Sequence, residues 1–546
     1  MSVGEVRIRW PDEADAVRLA ASAAPGASLA DRLARAGRPL NTRCGQRGLC
    51  AGCTVELIAG EFRLHDGRVS AAPAAIKACA GDLAPGTPAL VAVPPRALVA
   101  HRPQVVTTFK VNVSAAHAPI VPVVPGTLDH GLAVDVGTTT VVVALVDLVT
   151  GRIVGEQSGF NRQVELGDDV LTRIQRAGDP VQREALRQAV VTRTLGPLVR
   201  EVGAEAGVAA ARIAGAVVAG NTTMLHLLTG TDPSSLGVAP FRPVFTNHRE
   251  LSAAQLGWDW VGPDTPVHLL PGFSAYVGAD LVAGCLCTGL LNDAGPSLLV
   301  DIGTNGEILL RHGDRLLATA TAAGPAFEGG RLTRGVRAVA GAVAHVAFPP
   351  ARYPPRLDVI PGAPRVVGLC GSAYVDLLAE GRRTGLLGAN GRIDAAGWSA
   401  VPAAHRHEDA DGRGVCLRAR DPATVVTEAD IAQLLPAKAA IAAGILTLLR
   451  RAGLTPADVG RLYLAGGFGL HLDVPHAIAC GLLPGFEPRQ IEVVGNTSLG
   501  GAWLALVDRT IVPEMAAAAA NAEIVELNLE PGFEDTFIDQ LTLPPP

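Results

Sequence analysis

The chain has 546 residues, 48% of them apolar and 18% charged. That composition supports a sizeable core, excludes a disordered chain and, at roughly 100–200 residues per domain, leaves room for about three folded units. Lys and Arg total 46 against 52 Asp and Glu, a formal net charge of −6 with no basic block, so no nucleic-acid partner is expected.

Two long stretches, 111–128 and 213–231, lack Asp, Glu, Lys and Arg; the first carries Pro119, Pro122 and Pro125, the second Gly220, Asn221 and His226. Neither is apolar enough to span a bilayer, so no membrane is expected. Glu5, Asp12, Glu13 and Asp15 stand where a signal peptide needs an apolar run, and a cytoplasmic protein is expected.

Residues 1–98 read as a small mixed domain. Val6, Ile8 and Trp10 alternate with charged residues as in a half-buried strand. Ser28 is placed to cap a helix over 29–36 that ends at Gly37. A strand is predicted over 54–59 with Val55 and Leu57 on one face, and a closing strand at Leu90, Val91 and Val93.

Within this unit Cys44, Cys50 and Cys53 are spaced C-x5-C-x2-C, and Cys79 stands alone downstream. In a reducing compartment clustered cysteines point to metal rather than disulfides. A three-plus-one spacing is typical of [2Fe–2S] clusters, whereas structural zinc usually takes two close pairs. Gly45, Gly48 and Gly52 let the loop backbone turn its N–H groups toward sulfur. The other five cysteines, Cys285, Cys287, Cys370, Cys416 and Cys480, sit in apolar contexts and read as small buried hydrophobes.

A Pro-rich segment, 99–128, follows as an extended, semi-stiff linker. From 129 the pattern alternates strands and helices and repeats itself. Leu132-Ala-Val-Asp-Val-Gly-Thr-Thr-Thr is echoed by Leu299-Val-Asp-Ile-Gly-Thr-Asn-Gly-Glu, each followed by an apolar run. Two halves, 129–295 and 296–512, are expected to enclose a cleft, with an acidic extension over 513–546.

A strand ending in Asp and turning through Gly-Thr presents backbone N–H groups and hydroxyls to phosphate oxygens, while the carboxylate holds hydrated Mg²⁺ or orients water. Asp135 and Asp301 are the candidate catalytic residues. A third element, Leu462-Tyr-Leu-Ala-Gly-Gly-Phe-Gly-Leu, brings an apolar strand into a glycine-rich turn. Asn221 reads either as a helix N-cap or as a phosphate-side residue. Glu328 reads as a solvated loop acid. Arg331, Arg334 and Arg337 recur every three residues as one stripe, a solvated face or a docking or phosphate contact, and His405 and His407 read as part of a flexible polar loop rather than a metal site.

The set DVGTT, GNTTM, DIGTNGE and LAGGFG resembles the acetate and sugar kinase, heat-shock 70 and actin superfamily. The resemblance implies two ribonuclease-H-like halves clasping ATP with Mg²⁺. It assigns Gly137, Thr138, Thr139 and Thr140 to the first phosphate loop and Gly303, Thr304 and Asn305 to the second. It assigns Gly466, Gly467 and Gly469 to the adenosine loop, and Asn221 and Glu328 to the cleft.

The cysteine segment resembles adrenodoxin-type [2Fe–2S] ferredoxins, with a shorter gap before the fourth cysteine; this implies a β-grasp fold and Cys44, Cys50, Cys53 and Cys79 as metal ligands. Joined to the ATPase motifs, to ATAAGPAFEGG ending at Gly330, to VVGLCGSAYVDLL (366–378), AKAAIAAGI (437–445), GNTSLGGA (495–502) and to the acidic tail (523–541), it resembles the reductive activators of corrinoid-dependent enzymes across nearly the whole chain. The implied fold class is a multi-domain α+β and α/β chain: a β-grasp ferredoxin domain, a linker, and duplicated actin-like ATPase halves.

The resemblance implies an ATPase coupled to electron transfer, passing one electron from the cluster to cob(II)alamin of a corrinoid methyltransferase and fed by an upstream low-potential donor; a homodimer is a further option. The linker would let the cluster domain swing between donor and acceptor. The alternatives are an actin-like small-molecule kinase or a dehydratase activator carrying an accessory Fe–S redox domain.

Overall fold

The computed structural model describes residues 6–10, 15–19, 27–40, 53–93, 97, 107–167, 169–330, 332–349, 353–409 and 412–546. In the N-terminal unit Val6 and Ile8 turn inward and Arg7 and Arg9 outward along the strand Val6–Arg9. A five-stranded sheet runs in the order Val17–Arg18, Val6–Arg9, Ala89–Ala92, Thr54–Ala59, Ala74–Lys77. The early strand Val6–Arg9 and the late strand Ala89–Ala92 are parallel neighbours. Ser28 caps the helix Leu29–Arg35 by accepting from the Asp31 N–H, and the Asp31 carboxylate accepts in return from the Ser28 N–H. That reciprocal cap fixes where the helix starts, which sets Leu29 and Leu33 against Val55, Leu57 and Val91 in the core.

The Pro-rich segment departs from a free spacer. From Thr107 on it is pinned across both halves. The Asn496 N–H donates to the Thr108 carbonyl at 3.0 Å, the Lys110 N–H to Val494 at 3.0 Å, the Asn112 N–H to Cys287 at 3.0 Å and the Ile120 N–H to Leu506 at 3.1 Å. The Phe109 ring lies 6.0 Å from Trp503. Backbone groups taken from water must find partners, and here the second half and the Ala279–Thr288 helix provide them. A swing of the N-terminal unit cannot draw on this stretch.

The duplicated motifs build two sheets of the same topology. In the first the order is Arg152–Phe160, Thr140–Asp147, His130–Val136, Ile213–Gly220, Pro266–Leu269, with Arg249–Ser252 added at the edge. In the second it is Arg315–Thr321, Gly306–His312, Ser297–Ile302, Arg461–Ala465, Ile491–Gly495, with Glu523–Ile524 at the opposite edge. With the edge strands set aside and the others numbered by appearance within each half, both read 3-2-1-4-5. The first three strands form an antiparallel meander and the next two run parallel to strand one. The opening strand is therefore central, and its C-terminal end meets the helices that follow strands four and five.

The helix Glu428–Arg451 is long and apolar enough to cross a membrane by length and composition. In this fold it packs on the strands Gly306–His312 and Arg315–Thr321, with Ile441, Ile445 and Leu448 in the second core. The C-terminal segment closes that half. The division expected at 512/513 falls inside the helix Ile511–Asn521; Glu523–Ile524 then joins the sheet, and Glu523 pairs with Arg315 and Arg451. The His405–His407 stretch is not a loose loop. His405 is buried with its Nδ1 2.7 Å from the Cys416 carbonyl, and Arg406–Asp409 pairs antiparallel with Gly412–Cys416.

Candidate active site

Each half opens on a strand whose penultimate residue is an aspartate, Asp135 in His130–Val136 and Asp301 in Ser297–Ile302. Each strand turns at a glycine. The Gly137 N–H donates to the Thr140 carbonyl at 3.0 Å and the Gly303 N–H to the Asn305 carbonyl at 2.9 Å. A Cβ on Gly137 would stand 2.7 Å from the Thr140 oxygen, so the turn admits no side chain there. The hairpins meet across the cleft, with the Thr139 and Thr304 hydroxyls 3.4 Å apart.

Three helices begin at this junction. Asn221 caps Thr222–Thr229 through the Met224 N–H at 2.9 Å and also donates its amide to the Thr138 hydroxyl at 2.9 Å. It is thus both cap and cleft residue. Asn496 caps Thr497–Val507 through the Leu499 N–H at 2.9 Å and donates its amide to Asp135 at 2.9 Å; Ser498 donates to the other Asp135 oxygen at 2.8 Å. Asp280 occupies the first turn of Ala279–Thr288. Helix N-termini favour anions, and the two longer ones are held close by glycine. A Cβ on Gly501 would stand 2.4 Å from the Ala283 carbonyl oxygen, and one on Gly284 2.7 Å from the Thr497 hydroxyl.

Among these N-termini sit four buried carboxylates. Burial, reinforced by repulsion from Asp280 and Asp135, pushes Asp301 up to about 7. Burial and the Asp135 charge push Asp280 up to about 7. Glu307 is driven well above the ordinary range by burial and by the charges of Asp280 and Asp301. Asp135 is raised by burial as well, against the opposing pull of the Asn496 and Ser498 donors. Such a set is stable in its ionised form only with a cation among it.

Asp135, Gly137, Thr138, Thr139, Thr140, Asn221, Asp301, Gly303, Thr304, Asn305, Glu328, Gly466 and Gly467 all line one cavity of about 230 Å³. Gly469 does not line it; it begins the short turn Gly469–His471. Phe468 lines the cavity in its place and stacks on Phe327 with ring centroids 5.0 Å apart. Gly466 has φ +92°, and a Cβ there would stand 2.6 Å from the Asp301 Oδ1.

Asp280, Glu307, Asn496 and Ser498 also line the cavity but carry no role in the sequence reading; Arg337, one of the three arginines of the stripe, lines it too. Glu307, Asn496 and Ser498 lie inside motifs already singled out, DIGTNGE and GNTSLGGA. Asp280, in Val-Gly-Ala-Asp, has no such flag.

The donor set suits Mg²⁺, a hard cation that takes carboxylates and keeps its waters; Asp135, Asp280, Asp301 and Glu307 are the residues placed to hold it. For the cluster, Cys53 and Cys79 are both buried. The Ala78 N–H donates to the Cys53 carbonyl at 3.1 Å, which sets the two cysteines beside each other where the paired strands Thr54–Ala59 and Ala74–Lys77 end. Two of the four expected ligands thus lie on neighbouring ends of paired strands, and Cys44 and Cys50 lie outside the described residues. The remaining cysteines are buried thiols: burial pushes Cys285 and Cys287 up to about 12 and Cys480 to about 11.

Comparison with known proteins returns two family models, the RACo middle region over residues 130–293 and the C-terminal domain of RACo, the ASKHA domain, over 295–546. The chain is 31% identical to the corrinoid activation enzyme RamQ of Eubacterium limosum over 75% of this chain and 69% of that protein. It is 24% identical to the [Co(II) methylated amine-specific corrinoid protein] reductase of Methanosarcina barkeri, covering 68% of each. A solved structure of a reductive activator for corrinoid,iron-sulfur protein matches with a TM-score of 0.72 and 29% identity over 99% of this chain and 98% of that one. The C-terminal region therefore has the ASKHA fold expected from the paired hairpins.

Proposed function

Because the chain belongs to the RACo family of reductive activators of corrinoid proteins, we propose that it is an ATP-dependent activator that passes one electron from a [2Fe–2S] cluster to cob(II)alamin of a corrinoid methyltransferase, restoring cob(I)alamin. Cobalt gains the electron that the cluster gives up, and an upstream low-potential donor replaces it. When bound by Cys44, Cys50, Cys53 and Cys79, the cluster supplies a one-electron carrier near −400 mV if it behaves like plant-type ferredoxins. Residues 1–98 carry it, and residues 129–512 carry the nucleotide.

In this reading the hairpin N–H groups of 137–140 and 303–305, with the hydroxyls of Thr138, Thr139 and Thr304, hold the phosphates. Asp135, Asp280, Asp301 and Glu307 would hold hydrated Mg²⁺, with Asp301 also placed to orient the attacking water. Gly466, Gly467 and Phe468 face the adenosine.

ATP has a physical task here. If the cobalt couple lies roughly 200 mV below the cluster, the transfer is uphill by about 4–5 kcal/mol at ~59 mV per decade. A ligand shifts an equilibrium only by its differential affinity for two states, so the two halves must bind the corrinoid partner differently with ATP and with ADP.

One observation carries the reading: both Asp-x-Gly-Thr hairpins converge on one acidic cavity, in a chain whose N-terminal unit sets Cys53 and Cys79 on neighbouring strand ends. The test mixes the reduced protein with a Co(II) corrinoid methyltransferase, with and without MgATP, and follows the cob(I) absorption band. Reduction that depends on MgATP is expected. Reduction at the same rate without nucleotide contradicts the reading.

A further inference from the structure

The cleft is lined by five carboxylates, Asp135, Asp280, Asp301, Glu307 and Glu328, and, among the described lining residues, by a single Arg or Lys, Arg337. In the sequence Arg337 belongs to a three-residue stripe that reads in part as a solvated face. The structure turns it inward, with its side chain only 16% exposed. Its backbone is fixed on the second half. The Val336 N–H donates to the Leu369 carbonyl at 2.8 Å, and a Cβ on Gly335 would stand 2.3 Å from the Gly329 carbonyl oxygen.

The guanidinium reaches the first half. Its carbon lies 4.9 Å over the ring of Phe160, on the edge strand of the first sheet. Its nitrogen stands 3.5 Å from Glu328, longer than the 2.7–2.9 Å of a well-formed charge-assisted bond. The other Glu328 oxygen accepts from Thr304 at 2.5 Å, and the Thr304 hydroxyl is 3.4 Å from Thr139. Arg337 therefore sits beside both phosphate hairpins and touches both halves, and its contact with Glu328 is a long one.

We propose that Arg337 discriminates the triphosphate from the diphosphate in this cleft: a terminal phosphate draws the guanidinium off Glu328, and without one it stays on Glu328 and Phe160. This rests on the reading of the cleft as an ATP site. A planar fork of donors suits phosphate bidentately, and a lysine does not reproduce that geometry. The exchange gives ATP and ADP different contacts between the two halves, which a nucleotide-driven change of shape requires.

The test is calorimetric titration of the full chain with MgATP and with MgADP, comparing the parent with Arg337→Gln and Arg337→Lys. Arg337→Gln is expected to weaken ATP by roughly 10- to 100-fold, the range for losing a charged hydrogen bond, and ADP by less than about 3-fold. Arg337→Lys recovers only part of the ATP preference. Equal weakening of both nucleotides, or none, in a parent that binds ATP overturns the proposal alone. A parent that binds neither nucleotide overturns the ATP reading as well. Thermal melting checks that each variant folds. If Arg337→Gln does not fold, Arg337→Lys decides, and an unchanged ATP-over-ADP ratio there refutes the role.

Discussion

Replacing Asp301 by Asn has opposite consequences for stability and for function. Burial, with repulsion from Asp280 and Asp135, moves Asp301 from an ordinary 3.8 up to about 7. Its folded value is raised, so the acid contributes full stability at low pH and loses it as pH rises through about 7. At 1.36 kcal/mol per pH unit, holding it ionised costs on the order of 4 kcal/mol at pH 8. An amide of the same shape avoids that cost. Metal-free Asp301→Asn should therefore melt a few degrees above the parent at pH 8, with less than half that gain at pH 5, where the folded parent is protonated and the remaining cost, on the order of 1.6 kcal/mol, is that of taking up a proton lost by the unfolded chain above 3.8. MgATP should raise the melting point of the parent and not that of the variant, because the cation loses a ligand or its oriented water. Melting curves at both pH values, with and without MgATP, are the assay. A variant that melts at or below the parent at pH 8, or that gains equally at pH 5, refutes the account of a carboxylate cluster strained by its own charge.

Gly466→Ala should lose about 2–4 kcal/mol, from the strained backbone and from overpacking against Asp301 and the Ile302 carbonyl, together with nucleotide affinity measured by titration. Asp376 is buried and bonded by His345 at 3.0 Å and His476 at 2.8 Å, and its charge raises both imidazoles. Asp376→Asn should therefore cost about 3 kcal/mol at pH 6, and the cost should shrink as pH rises and the raised imidazoles lose their protons; denaturant melts across that range decide. Cys53→Ala should remove the visible Fe–S absorption and partner reduction while leaving MgATP binding within about 2-fold, read by spectrum and calorimetry.

The parts of this fold written in local chemistry were legible in the sequence. Ser28 with Asp31, and Asn221 ahead of an apolar run, mark helix starts because capping is a contact over three residues. The paired Asp-x-Gly-Thr turns announced both opening strands for the same reason. What was not legible depends on distant partners. Asp280 gains its role only when the helix Ala279–Thr288 docks against Thr497–Val507, and nothing around it in the chain signals that. Arg337 reads as one of three evenly spaced arginines until Phe160 and Glu328 come to it. The strap from Thr107 is held mostly by backbone donors and acceptors, which every residue carries, so its Pro-rich composition gives no sign of where it is fastened.

The most direct test of the coupling compares three proteins in the anaerobic reduction of a Co(II) corrinoid partner with MgATP: the parent, Cys50→Ala and Asp301→Asn. Cob(I) formation is expected in the parent and in neither variant, with Cys50→Ala still binding nucleotide and Asp301→Asn still carrying the cluster absorption. Reactivation at the parent rate by either variant would contradict the claim that nucleotide turnover in the cleft drives electron transfer from the cluster to cobalt.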